Sequence, residues 1–130
     1  MPSNDYRGMN VPLADLIGAP FKLGARGENG YYDCYGLCIE VARRHGKRLD
    51  DLGVTDGDLA RADEYAPAIS NARRIDAPKA GAVLEMETDR GLHLGICLDE
   101  KTFIHATKKQ GVRISRIGAY PIIGLYELED

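Results

Sequence analysis

The chain has 130 residues, which suits one domain built around one core. Its composition, 44% hydrophobic and 28% charged, is that of an ordinary globular protein. The formal charge of -3 gives no basic field for nucleic acid or an anionic membrane, so neither is expected as a partner. No apolar run is long enough to span a bilayer.

The start, Met1-Pro2-Ser3-Asn4-Asp5-Tyr6-Arg7, lacks the basic region and apolar run of a secretory signal. The expectation is cytoplasmic synthesis, followed either by retention there or by delivery on a route that needs no signal. Residues 11–17 read as a short helix ended by Gly18 and Pro20. Residues 21–32 form a loop rich in glycine.

Asp33 is a good N-cap, so Cys34 falls at the first position of the helix that follows. A thiol there sits at the positive end of the helix macrodipole, which favours thiolate over thiol. The thiolate is the nucleophile, so one local arrangement both orients and activates it. The helix extends over 34–45, with Leu37, Cys38, Val41 and Ala42 on one apolar face and Gly46 as its stop. Arg43, Arg44, Lys47 and Arg48 crowd its end, as a solvated face does. The cysteine count is three, Cys34, Cys38 and Cys97, and an odd number argues against a closed disulfide framework. Cys38 and Cys97 have apolar neighbours and read as core packing.

Thr55-Asp56-Gly57-Asp58 resembles a capping box, with a polar helix to about residue 65. Pro67 interrupts it, and a short turn runs to about residue 73. From residue 82 the pattern changes to period two or short apolar runs: 82–87, 92–98, 102–107, 112–117 and 122–128. Residues 99–101 and 108–111 read as hairpin turns. Helices first and closely spaced strands later indicate an α+β fold with an antiparallel sheet.

In 92–98 the even positions are Leu92, Leu94, Ile96 and Leu98, which leaves His93, Gly95 and Cys97 on the other face. On the next strand Phe103 and His105 share a face. If residues 99–101 form a three-residue loop, paired numbers sum to 200 (98 + 102). His105 then lies opposite Gly95, with His93 diagonal to it, about 7–8 Å away along the strands. A two-residue loop would put the histidines on opposite faces. Together the residues suit nucleophilic catalysis: Cys34 attacks, one imidazole takes its proton and returns it to the leaving amine, and a second polar group fixes that imidazole's tautomer. His93 fits the base and His105 the orienter. His45, at the basic helix end, reads as structural. A competing arrangement is a Cys2His2 zinc site from Cys34, Cys38, His93 and His105. Against it, no Cys-x-x-Cys knuckle is present and Cys38 continues the apolar stripe, so no metal or other cofactor is expected.

The ordered set Pro20-Phe21, Gly24, Gly30, Asp33-Cys34-Tyr35-Gly36-Leu37, Lys79-Ala80-Gly81-Ala82-Val83, His93-Leu94-Gly95-Ile96, Phe103-Ile104-His105-Ala106 and Gly111-Val112-Arg113-Ile114 resembles the NlpC family of papain-like cell-wall cysteine peptidases. The match runs from about residue 12 to 128, and the separation of the two histidines, 105 − 93 = 12, suits that family. The resemblance implies a nucleophile-bearing helix packed on a central antiparallel sheet. It implies hydrolysis of peptidoglycan stem peptides, typically at the bond from γ-D-glutamate to a diamino acid. By matching position, Cys34 is the nucleophile, His93 the base and His105 the third polar residue. Asp33 would help hold the substrate's amine end, and the Cys34 backbone N–H would supply part of the oxyanion hole.

Departures from the family pattern sharpen the expectation. Tyr35 replaces the common serine after the nucleophile, as in members from bacteriophage tails, so tail proteins are expected partners beside the muropeptide. Phe21 stands where many members have a tyrosine, and Tyr31 or Tyr32 is the substitute; Tyr32 and Tyr35 are therefore taken as substrate-binding with Asp33. Ala82 replaces the aspartate of a Pro-Gly-Asp turn. Two other functions fit the same residues: a tail-assembly or interaction module without useful hydrolysis, and a cysteine amidase or acyltransferase on a non-murein substrate.

Overall fold

The computed structural model describes residues 12–51, 71–88 and 91–129. Among the described residues the elements in chain order, after two single 3₁₀ turns (Ala14–Leu16 and Glu28–Gly30), are one α-helix, α1 (Cys34–Arg44), and six strands: β1 (Ala72–Arg74), β2 (Val83–Thr88), β3 (Gly91–Cys97), β4 (Thr102–Thr107), β5 (Gly111–Arg116) and β6 (Ile122–Leu128). The strands form one sheet in the order β1-β6-β2-β3-β4-β5, with every neighbouring pair antiparallel. The architecture is the expected α+β arrangement of a helix on an antiparallel sheet.

Most elements lie where the pattern puts them. Helix α1 starts at Cys34 and hands over to His45, and Gly46 takes φ 78 as the stop. The expected helix over 11–17 is a single 3₁₀ turn, Ala14–Leu16. A segment that short cannot repay helix nucleation, so the buried Leu13 and Leu16 fix its shape instead. The capping box at 55 and the helix after it lie outside the described residues. The short turn expected up to residue 73 gives way at its end to a strand. Arg73 lies opposite Glu127, and their side chains form an ion pair. Cross-strand charge, not an apolar alternation, marks this edge strand.

Both faces of the sheet are apolar. One face carries α1: Leu37, Cys38, Val41 and Ala42 pack with Val83, Leu94, Ile96, Leu98, Ile104, Ala106 and Val112. The other gathers Leu84, Met86, Cys97, Phe103 and Leu125, with Ile75, Ile117 and Tyr120 partly covering it. Burial on both faces explains why β2 to β4 read as short apolar runs rather than clean alternation.

Two hairpins position the histidines. In the first, Cys97 is registered with Phe103 and Ile96 with Ile104, so paired numbers sum to 200. The three-residue loop closes through Asp99, whose Oδ1 accepts from the backbone N–H of Lys101 and of Thr102, each at 2.8 Å. In the second, Thr107 faces Gly111 across another three-residue loop. Gly111 takes φ +71, and a Cβ there would stand 2.2 Å from the Ala19 carbonyl oxygen. That close approach lets Gly18 and Ala19 hydrogen-bond the outer edge of β5 at Val112, which protects an otherwise open strand.

Candidate active site

The helix start is locked by one carboxylate. Asp33 Oδ1 accepts from the Gly36 N–H at 2.7 Å and from Arg26 Nη1 at 2.9 Å. Its Oδ2 accepts from the Gly24 N–H at 3.0 Å. The N-cap therefore also laces the glycine-rich loop to the first turn of α1. Gly36 permits this contact, because a Cβ there would meet the Ala25 carbonyl oxygen at 2.2 Å. Cys34, the next residue after the cap, is in no disulfide and is buried in the cluster that contains Leu94, Ile104 and Ala106. Its cluster neighbours Leu94 and Ala106 are the residues that follow His93 and His105 in the chain.

The two histidines meet. His93 Nε2 lies 2.8 Å from His105 Nδ1, with the rings edge to face at 72°. His105 Nε2 in turn lies 2.8 Å from Ser115 Oγ. Gly95 makes room: a Cβ there would stand 2.8 Å from the Phe103 ring and 3.3 Å from His105 Cβ. The β3–β4 ladder is registered at 96–104 and 97–103 and goes no further toward His93. The strands are thus unpaired beside the histidines, which project from the sheet face opposite α1, the face of Met86, Cys97 and Phe103.

Burial pushes the His105 imidazole down to about 3, helped by the positive charges of His93 and Arg113. It is therefore held neutral near neutral pH. Its folded value lies below the ordinary 6.5, so between about 3 and 6.5 the unfolded chain binds a proton that the folded chain does not. Stability from this site is whole above 6.5 and falls as pH drops toward 3. Thermal melts of wild type and His105→Gln should therefore converge or cross on acidification, by an amount on the order of 3 kcal/mol at pH 4. Parallel curves down to pH 4 would contradict the buried neutral imidazole.

A cleft of about 660 Å³ opens beside this row, walled by His93, His105, Arg113, Ser115 and Tyr120 among others. Tyr120 holds its ring 6.3 Å from each imidazole. Cys34, fully buried, is not among the walls. Ser115, Arg113 and Tyr120 were not singled out from the sequence. The turn expected at 108–111 would have put residues 113 and 115 on the opposite face; Gly111 instead pairs with Thr107, and the three-residue loop at 108–110 brings both to the face of His105.

The remaining expected site residues have internal engagements. Asp33 is fully buried, and its carboxylate faces Gly24, Arg26 and Gly36 rather than the cleft. Tyr35 is buried too, with its hydroxyl donating to the Asp50 carbonyl and the Arg26 guanidinium over its ring at 5.3 Å. Both therefore brace the helix start in this structure. Tyr32 is half-buried and bridges Phe21 through the backbone, and burial raises its phenol above the usual value. Tyr31 is exposed, with the Lys22 ammonium 5.9 Å from its ring centroid. Among the described residues no group of three or more His, Cys, Asp or Glu side chains is arranged to hold a metal ion.

Among curated protein sequences none is significantly similar. Solved structures share the fold. The NlpC/p60 domain of peptidoglycan hydrolase SagA superposes with a TM-score of 0.61 at 22% identity, over 88% of this chain and 92% of that one. NlpC1 from Trichomonas vaginalis gives a TM-score of 0.64 at 19% identity, over 98% of this chain and 47% of that one. A protein described as similar to a lipoprotein of the NLP/P60 family, from Staphylococcus aureus, gives 0.61 at 20% identity, over 89% and 38%. The chain thus spans less than half the length of these last two. The NlpC/P60 family model matches residues 18–121, which takes in the capped cysteine, both histidines and the β5 strand that braces them. The helix-start cysteine, the paired histidines and that match agree: the chain belongs to the NlpC/P60 family.

Proposed function

We propose that this protein is a cysteine peptidase that hydrolyses peptidoglycan stem peptides, with Cys34 as nucleophile, His93 as base and His105 as orienter. The observation that carries the reading is the 2.8 Å contact from His93 Nε2 to His105 Nδ1. It uses one ring nitrogen of His93 and directs proton exchange with Cys34 through the other, Nδ1. The thiol proton passes to Nδ1, and the thiolate attacks the scissile carbonyl. The Cys34 backbone N–H, at the helix N-terminus, supplies part of the oxyanion stabilisation. Imidazolium His93 then protonates the leaving amine, which leaves a thioester on Cys34. Water, deprotonated by His93, hydrolyses the thioester and restores the thiol. The reading requires that the thiol reach His93 through the unpaired stretch between β3 and β4.

The family's characteristic bond, from γ-D-glutamate to a diamino acid, is the proposed point of cleavage. Tyr32, whose backbone bridges that of Phe21, is the proposed stand-in for the tyrosine missing at position 21. The aromatic at position 35 has a structural account within this fold, so it carries no separate argument for a bacteriophage-tail partner.

Defined muropeptides incubated with the protein, with fragments read by mass, test the assignment. New termini at the γ-D-glutamyl bond support it. Intact muropeptides together with a Cys34 that no thiol-directed electrophile labels near neutral pH would point to a non-catalytic module. A labelled Cys34 with intact muropeptides would point to an amidase or acyltransferase on another substrate.

A further inference from the structure

The relay does not end at His105. Ser115 on β5 is registered with Phe103, one diagonal step from His105 on the same face, and its Oγ lies 2.8 Å from His105 Nε2. The proton count decides what that contact does. In the ion-paired state before attack, His93 carries a proton on each ring nitrogen. Its Nε2–H then donates to His105 Nδ1, which must be bare. Neutral His105 has one proton, and it must sit on Nε2. That buried N–H needs an acceptor, and Ser115 Oγ is placed to be one. Were the hydroxyl to donate to Nε2 instead, the His105 proton would move to Nδ1. Two N–H groups would then face each other across 2.8 Å. Ser115 also lines the cleft, so its own hydroxyl proton can turn toward solvent or substrate.

We propose that Ser115 is a positioning residue: its hydroxyl oxygen accepts from His105 Nε2 and holds His105 in the tautomer that accepts from imidazolium His93. The inference rests on the peptidase reading and adds a fourth member to its relay. It also separates Ser115 from a residue that merely fills space between β4 and β5, because its effect runs through the tautomer of one ring.

The test compares Ser115→Thr with Ser115→Val, which keep and remove the hydroxyl at nearly equal volume and both suit a strand. Imidazole ¹⁵N NMR of histidine-labelled full-length protein reads the His105 tautomer without any substrate. Wild type and Ser115→Thr should carry the proton on Nε2, and Ser115→Val should show Nδ1–H. In step, Ser115→Val should lower kcat for muropeptide about fivefold to tenfold, the worth of one net hydrogen bond, with KM little changed and Ser115→Thr close to wild type. In a His105→Ala background Ser115→Val should cost nothing further. An Nδ1-protonated His105 in wild type overturns the proposal. So does a change in tautomer or in kcat without the other, or a full additional loss in the His105→Ala background. If no form turns over muropeptide, the peptidase reading fails by itself, and the NMR comparison still decides whether Ser115 sets the tautomer.

Discussion

Replacing Cys34 with alanine is expected to lower muropeptide turnover by about 10⁴–10⁶-fold, the scale on which losing one member of a catalytic triad costs an enzyme, and to leave the fold intact. The stability side follows from what is removed. Cys34 is one member of a large buried cluster, and loss of its single Sγ costs about 1 kcal/mol, at the low end for core truncations. The cap that fixes α1 is on Asp33, which the substitution does not touch. The activity side follows from the other thiols. Burial pushes the Cys97 thiol up to about 11, so roughly one molecule in 10⁴ carries that thiolate at pH 7. Cys38 lies a full turn into α1 within the core. Brief limiting iodoacetamide followed by mass mapping should find Cys34 labelled first, although all three cysteines are buried. Preferential labelling of Cys97, or full turnover by Cys34→Ala, would remove the cysteine mechanism.

The chain announces the pieces of this site more clearly than their surroundings. Asp33-Cys34 is legible because a cap and the residue after it form a local device, independent of the rest of the fold. The odd loop at 99–101 is legible because Asp99 closes it with its own side chain. Once that loop is set, the pairing of the histidines follows from parity alone. Features that depend on distant partners are hidden. Strand β1 is Ala-Arg-Arg, which carries no strand signal until Glu127 stands opposite. The burial of Tyr35 could not be read from the apolar face of α1. It depends on the glycine-rich loop, which Arg26 folds over the helix start through Asp33 and Asp51. Ser115 was hidden by one residue of register: with Gly111 counted in the turn rather than in β5, parity puts residue 115 on the face opposite His105.

Unequal losses are expected from the two histidines. His93→Ala should remove activity by about 10²–10⁴-fold or more, because no other group takes the thiol proton. Neither neighbour can replace it: His105 is held neutral by burial, and Ser115 is not a base near neutral pH. His105→Ala should leave measurable turnover, since His93 keeps its proton chemistry and loses only its orientation. The conservative variants separate orientation from bulk. Asparagine Oδ1 stands as many bonds from the backbone as histidine Nδ1, so His105→Asn can still accept from the His93 N–H. It should recover more of the loss than His105→Gln, whose oxygen falls one bond further out, where Nε2 now contacts Ser115. The measurement is kcat and KM for one defined muropeptide across all four variants, with melts to confirm folding. If His93→Ala stayed active while His105→Ala did not, the base and the orienter would have to be exchanged. If His105→Asn recovered nothing while remaining folded, acceptance by His105 Nδ1 would not be what orients His93.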